Sequence, residues 1–135
     1  NETRAKIDEC FASNRAEEIV EKLEAEKSNL GDESWAAKQL ATLATKSPQS
    51  VKVALKQIRL GGAMSDFADN MAMEYAAVSR IVMNPEFHEG VRAVILDKDN
   101  DPKWRYASIA DVPDAEIDAV FAPLPADQAW VPLEI

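Results

Sequence analysis

At 135 residues the chain is about one domain long, and 24 acidic against 15 basic residues leave a formal charge of −9. Such a balance argues against nucleic acid and against membrane surfaces as partners, because binding either needs a basic face. With Cys10 as its one cysteine and His88 as its one histidine, the chain can form no intrachain disulfide and lacks the ligands of a structural zinc site.

Residues 2–11 place Ile7 and Phe11 four apart, which predicts a short amphipathic helix. Next, Ala16, Ile19, Val20 and Leu23 share one face, and Asn14 with Glu17 three residues on predicts a helix start. This helix is expected to end near Lys27. Asp32 is the expected cap of a third helix striped with Ala36, Leu40, Leu43 and Ala44. Ser47-Pro48 then marks a stop and a new start, since proline suits the first helical position and serine accepts an orphan N–H. Val51, Leu55 and Ile58 make the buried stripe of this fourth helix, which Gly61-Gly62 is expected to end. Ser65 is the expected cap of the longest helix, roughly 66–83, carrying Phe67, Met71, Tyr75, Val78 and Val82. Asn84-Pro85 repeats the cap-and-proline signal and opens a helix near 86–97 with Phe87, Val91, Val94 and Ile95 turned inward.

Pro102 cannot continue that helix. Trp104 and Tyr106 fall in a loop, and Pro113 opens a short helix with Ile117, Val120 and Phe121. From 122 on, Pro123, Pro125 and Pro132 predict an extended tail laid on a surface, which would cover Trp130, Val131, Leu133 and Ile135. No segment alternates as a strand. The predicted class is all-α: six to seven short helices, with a helical region over 1–121 and an extended tail over 122–135.

Few residues suggest chemistry. His88, flanked by Glu86 and Glu89, has the neighbours of an acid–base catalyst, yet no nucleophile accompanies it, and acidic residues in a first helical turn are explained by the helix dipole. Cys10, beside Phe11, reads as a packed thiol rather than a nucleophile. The carboxylate pairs Glu17/Glu21, Asp97/Asp101 and Asp114/Asp118 read as solvated helix faces, and the run Asp97 to Asp101 lacks the glycine and terminal glutamate of a calcium loop. Trp104, between Lys103 and Arg105, reads as an anchor rather than a base-stacking platform. Only 4 glycines occur, so the glycine-rich loops that cradle phosphates or form oxyanion holes are not visible. No metal site is expected.

One stretch is more specific. Phe87-His88-Glu89-Gly90-Val91-Arg92-Ala93-Val94-Ile95-Leu96-Asp97-Lys98-Asp99, followed by Pro102-Lys103-Trp104, resembles a signature near the carboxyl end of 3-hydroxyisobutyryl-CoA hydrolases and their relatives in the enoyl-CoA hydratase/isomerase (crotonase) superfamily. Cys10-Phe11, Glu17-Glu18-Ile19, Ser47-Pro48 with Ser50, Leu55 and Gln57, and Met73-Glu74-Tyr75 resemble the same family in the same order.

The resemblance implies the helical carboxyl-terminal region of an acyl-CoA thioester hydrolase of valine catabolism. Its catalytic acids and oxyanion loop would lie in an N-terminal core upstream of anything matched here. No catalytic residue is therefore expected in this chain, which starts without Met and reads as a fragment or processed chain, inactive alone. The implied partners are the N-terminal crotonase core and, in that context, acyl-CoA, with coenzyme A as part of the substrate and no separate cofactor. Lys98 is the expected CoA contact, by analogy with a basic residue near the end of the corresponding helix in related hydratases; the directly aligned position is Asp97. The alternative is a noncatalytic crotonase relative serving as a protein interaction module. Apolar stripes that have lost their partner also predict self-association of the isolated chain. The expected compartment is the cytoplasm if the source is bacterial and the mitochondrial matrix if it is eukaryotic.

Overall fold

In the computed structural model, which describes residues 2–132, the chain forms seven α-helices and, among the described residues, no strand. They are α1 (Glu2–Cys10), α2 (Ala16–Leu30), α3 (Trp35–Leu43), α4 (Pro48–Ala63), α5 (Phe67–Ile81), α6 (Pro85–Val91) and α7 (Asp114–Phe121). A π-helical turn (Arg92–Leu96) extends α6, and a 3-10 turn (Ile109–Asp111) precedes α7. The all-α class with an irregular tail is thus as expected.

The two proline-marked starts are built as the residues dictate. Ser47 Oγ accepts from the Ser50 N–H and Asn84 Oδ1 from the Glu86 N–H, with Pro48 and Pro85 in the first turns. Three other starts are corrected. The residue before α2 is Arg15, whose N–H is held by Ser13 Oγ, and Asn14 caps nothing. Ser34 rather than Asp32 caps α3 by accepting from Ala37, while Asp32 faces Lys27 at 3.5 Å. Asp66 rather than Ser65 caps α5 by accepting from Ala68 and Asp69.

Helix α4 also runs through Gly61 and Gly62 to Ala63 instead of ending there. A Cβ built at Gly61 would lie 2.9 Å from Asn70 Oδ1, so glycine permits α4 and α5 to approach closely.

Two apolar clusters hold the helices. Cys10, Ile19, Leu23 and Ala36 pack α1, α2 and α3 together, and Val53, Ala77, Val112, Ile117 and Val120 pack α4, α5 and α7. A buried ammonium joins the two regions. Lys52 Nζ donates to Glu17 Oε1 (2.7 Å), to Asp114 Oδ1 (2.6 Å) and to the Val112 carbonyl (3.0 Å). Burial alone would lower its pKa, but the bonds it donates to Asp114 and Glu17 outweigh that and hold it above the ordinary value. Arg80 donates to the carbonyls of Val120, Ala122 and Pro123 and so fixes the start of the tail. Farther along, Trp130 is half-buried in a groove with Val53, Tyr75, Val78 and Ile81, while Val131 is exposed; Leu133 and Ile135 lie outside the described residues.

The segment from α6 onward departs most from expectation. Phe87, Val94 and Ile95, expected inward, are exposed, and Val91 is half-buried. Glu86 and Ala93 are buried in their place. The π turn inserts a residue into the helical register, with Asp97 N–H reaching the Arg92 carbonyl at 2.8 Å, and the inward side meets the following loop through polar groups.

Candidate functional site

The residues of the specific stretch, 87–104, and Glu86 just before it form one connected unit. Buried Glu86 holds two elements: its Oε2 accepts from Ser47 Oγ at the head of α4, and its Oε1 accepts from the Arg105 N–H at 2.6 Å. One turn later, Glu89 takes the Arg92 guanidinium in a two-point contact, at 2.8 Å from both Nε and Nη2, and accepts the Lys103 N–H at 2.6 Å. Arg92 Nη1 also donates to Asp97 (2.7 Å) and Asp99 (2.6 Å), and Nη2 to the Asp101 carbonyl (3.2 Å).

Arg92 is therefore the centre of a loop closed on itself. Its bonds, with the Lys103 N–H, hold the Glu89 carboxyl down at about 2 and keep Asp99 below the usual carboxylate range; the guanidinium itself is pushed up by Glu89, Asp99 and Asp97. Within the loop Lys98 (φ 56°) and Asn100 (φ 52°) both adopt the left-handed conformation, and the Asn100 N–H donates to the Ala93 carbonyl at 3.0 Å. Two non-glycine residues so placed cost free energy, and the clamp supplies what sustains them.

The outer side of the same segment is apolar. Val94, Ile95 and Leu96 are 59%, 61% and 70% exposed in succession, and Met83 and Phe87 upstream are exposed as well. Lys98 follows directly. It is exposed, and its ammonium has no hydrogen bond or ion pair among the described residues.

The other expected candidates are spread through the fold. His88 Nε2 lies 2.9 Å from the Val82 carbonyl with its ring edge-on to Phe87, and neither flanking glutamate reaches it. Cys10 is buried, and burial, then Glu26 and Glu9, push its thiol up, against nucleophilic use. The acidic pairs are mostly engaged by cations rather than simply solvated: Glu17 and Asp114 by Lys52, Asp118 by Lys56, Asp97 by Arg92 and Asp101 by Lys103. Among the described residues no group of acidic, histidine or cysteine side chains could hold a metal ion, and no helix is long and apolar enough to cross a membrane. Trp104 is an anchor: its ring would stand 3.4 Å from a Cβ at Gly90. Reading the sequence misses Lys52, Arg80 and Glu86 as structural hubs; the signal for Lys52 is a single cation between Val51 and Val53 on an apolar stretch of α4. Among the described residues no nucleophile and base are in contact.

The sequence profile described as enoyl-CoA hydratase/isomerase matches residues 1–121. This chain belongs to that family, within the crotonase superfamily. It is 39% identical over 124 residues to the 3-hydroxyisobutyryl-CoA hydrolase, mitochondrial, of Gallus gallus, covering 92% of this chain and 31% of that protein. It is 36% identical over 119 residues to the Homo sapiens protein of the same name, covering 88% and 29%. Among solved structures, an enoyl-CoA hydratase from Rhodobacter sphaeroides superposes with a TM-score of 0.79 at 31% identity, covering 93% of this chain and 35% of that one. A carnitinyl-CoA dehydratase from Mycobacterium thermoresistibile superposes with a TM-score of 0.75 at 32% identity, covering 93% and 34%. The chain thus spans about a third of the length of the relatives it matches.

Proposed function

We propose that this family member is the helical carboxyl-terminal part of a 3-hydroxyisobutyryl-CoA hydrolase-like enzyme, packing on and covering a catalytic core carried elsewhere in the protein. The observation that carries the reading is the exposed run Val94–Leu96, beside a polar interior that satisfies the segment's inward side. Three successive large apolar side chains left in water imply a cover for them. A thioester hydrolase, for its part, must exclude bulk solvent from the developing oxyanion while admitting one water, and helices packed over the core do this. Chemistry would fall to the core's acidic residues and backbone N–H groups. Lys98, at the end of the run, would reach the anionic part of coenzyme A. The mitochondrial naming of the relatives supports the mitochondrial matrix as the compartment of a eukaryotic source.

The test is release of free thiol from 3-hydroxyisobutyryl-CoA by the full-length protein and by residues 1–135 alone. Turnover by the full-length protein and none by the separate chain is expected. Turnover by the separate chain would overturn the covering role, and an inert full-length protein would favour a noncatalytic interaction module.

A further inference from the structure

We infer that Arg92 is a positioning residue that keeps Lys98 available to an external anion by occupying the carboxylates on either side of it. Lys98 is flanked in sequence by Asp97 and Asp99, the groups best placed to capture its ammonium. Both are taken instead by a single nitrogen, Arg92 Nη1, at 2.7 and 2.6 Å. The remaining charges around the loop are matched in the same way: Glu89 holds the other two Arg92 nitrogens, and Lys103 pairs with Asp101. Among the described residues, the one cation of the loop left without a protein partner is Lys98.

Geometry and position agree with this division of labour. The left-handed backbone at Lys98 and Asn100 is fastened by Asn100 N–H to the Ala93 carbonyl and by Arg92 to the Asp101 carbonyl. A fork donor does what a lysine at position 92 could not, since bridging two aspartates and a bidentate glutamate needs several fixed N–H vectors. The free ammonium stands at the end of the exposed run Val94–Leu96, an arrangement suited to the anionic end of a ligand bound beside it. On the reading proposed above, on which this assignment of ligand rests, that end is a phosphate of the coenzyme A thioester.

The experiment titrates the full-length protein with coenzyme A and, separately, with pantetheine, which lacks the nucleotide phosphates. The wild type is expected to bind coenzyme A about tenfold more tightly than pantetheine, the margin of one charged contact. Lys98→Met and Arg92→Met should each erase that margin and leave pantetheine binding unchanged. The decisive variant combines Arg92→Met with Asp97→Asn and Asp99→Asn: with the competing carboxylates neutralised, the margin should return. A purely structural role for Arg92 predicts no such rescue. If Arg92→Met does not fold, Arg92→Lys, which cannot bridge both aspartates, is compared with and without the two asparagines in the same way. Equal wild-type affinity for the two ligands, an intact margin in the Arg92 variant, or a lost margin that the asparagines do not restore would each overturn the inference. Thioester hydrolysis by the same wild-type preparation is scored separately, so an inactive protein that shows the margin and its rescue refutes the enzymatic reading alone.

Discussion

The α4–α5–α7 junction and the α6–π segment are built on opposite plans. At the junction, apolar residues turn inward: Val53, Ala77, Ile117 and Val120 are buried, and the one cation among them, Lys52, is matched by two carboxylates and a carbonyl. In the α6–π segment the inward side is polar, with Glu86 buried and Arg92 clamped, while Val94, Ile95 and Leu96 face away from the chain. The difference separates two tasks that hydrophobic patterning alone conflates. The buried set is spent on the fold, whereas the run Val94–Leu96, like Ile58, Phe67 and Val78 on the outer faces of α4 and α5, is left in water.

Substitutions can sharpen or break this contrast. The largest loss of stability is expected within the packed region at Leu23, whose side chain is fully buried: Leu23→Ala should cost about 3 to 4 kcal/mol in urea unfolding through a cavity that cannot fully collapse. Lys52→Met should cost about 3 kcal/mol, because Glu17 is left largely buried without its cation and the Val112 carbonyl without its donor; a loss below about 1 kcal/mol would show the junction to be held by apolar contact alone. Smaller again is the effect of Glu86→Gln. It retains an acceptor but gives Ser47 and the Arg105 N–H a weaker partner, and it should lower stability by about 1 to 2 kcal/mol.

The clamp should show itself in pH dependence. Glu89 has its folded-state pKa depressed to about 2 from an ordinary 4.5, so its contribution is fully present above about 4.5 and is lost as pH falls from there towards about 2. The Lys103 amide, which bonds to that carboxylate, should keep its chemical shift and exchange protection at pH 5 and lose both in that lower window. Loss already complete at pH 4 would mean the clamp does not form. The smallest effect is expected outside: Ile95→Ser should change the unfolding free energy of residues 1–135 by less than about 0.5 kcal/mol, since its side chain is already in water.

Much of the fold was legible because its rules are local. Ser47-Pro48 and Asn84-Pro85 carry their own capping chemistry, and the stripe of Ile117 and Val120 is buried where 3.6 periodicity places it. What stayed hidden depends on partners distant in sequence. Gly61 looked like a terminator because nothing nearby indicates that Asn70 of α5 presses against it. Phe87, Val94 and Ile95 looked like core because periodicity reports an apolar face and not what meets it. Val94 and Ile95 lie in the π turn, beside which Arg92 gathers Asp97 and Asp99, a charge pattern that composition presents only as acidity. The resemblance carried by residues 87–104 reached the family and pointed to Lys98, whereas the hold of Arg92 on Asp97 and Asp99 emerges only from three-dimensional placement.

The most direct test replaces Ile95 and Leu96 together by aspartate and follows hydrolysis of 3-hydroxyisobutyryl-CoA by the full-length protein, beside urea unfolding of residues 1–135. If these side chains seat the helices on the catalytic core, turnover falls at least about tenfold while the unfolding midpoint of the chain stays where it was. Undiminished turnover with both aspartates in place would contradict it.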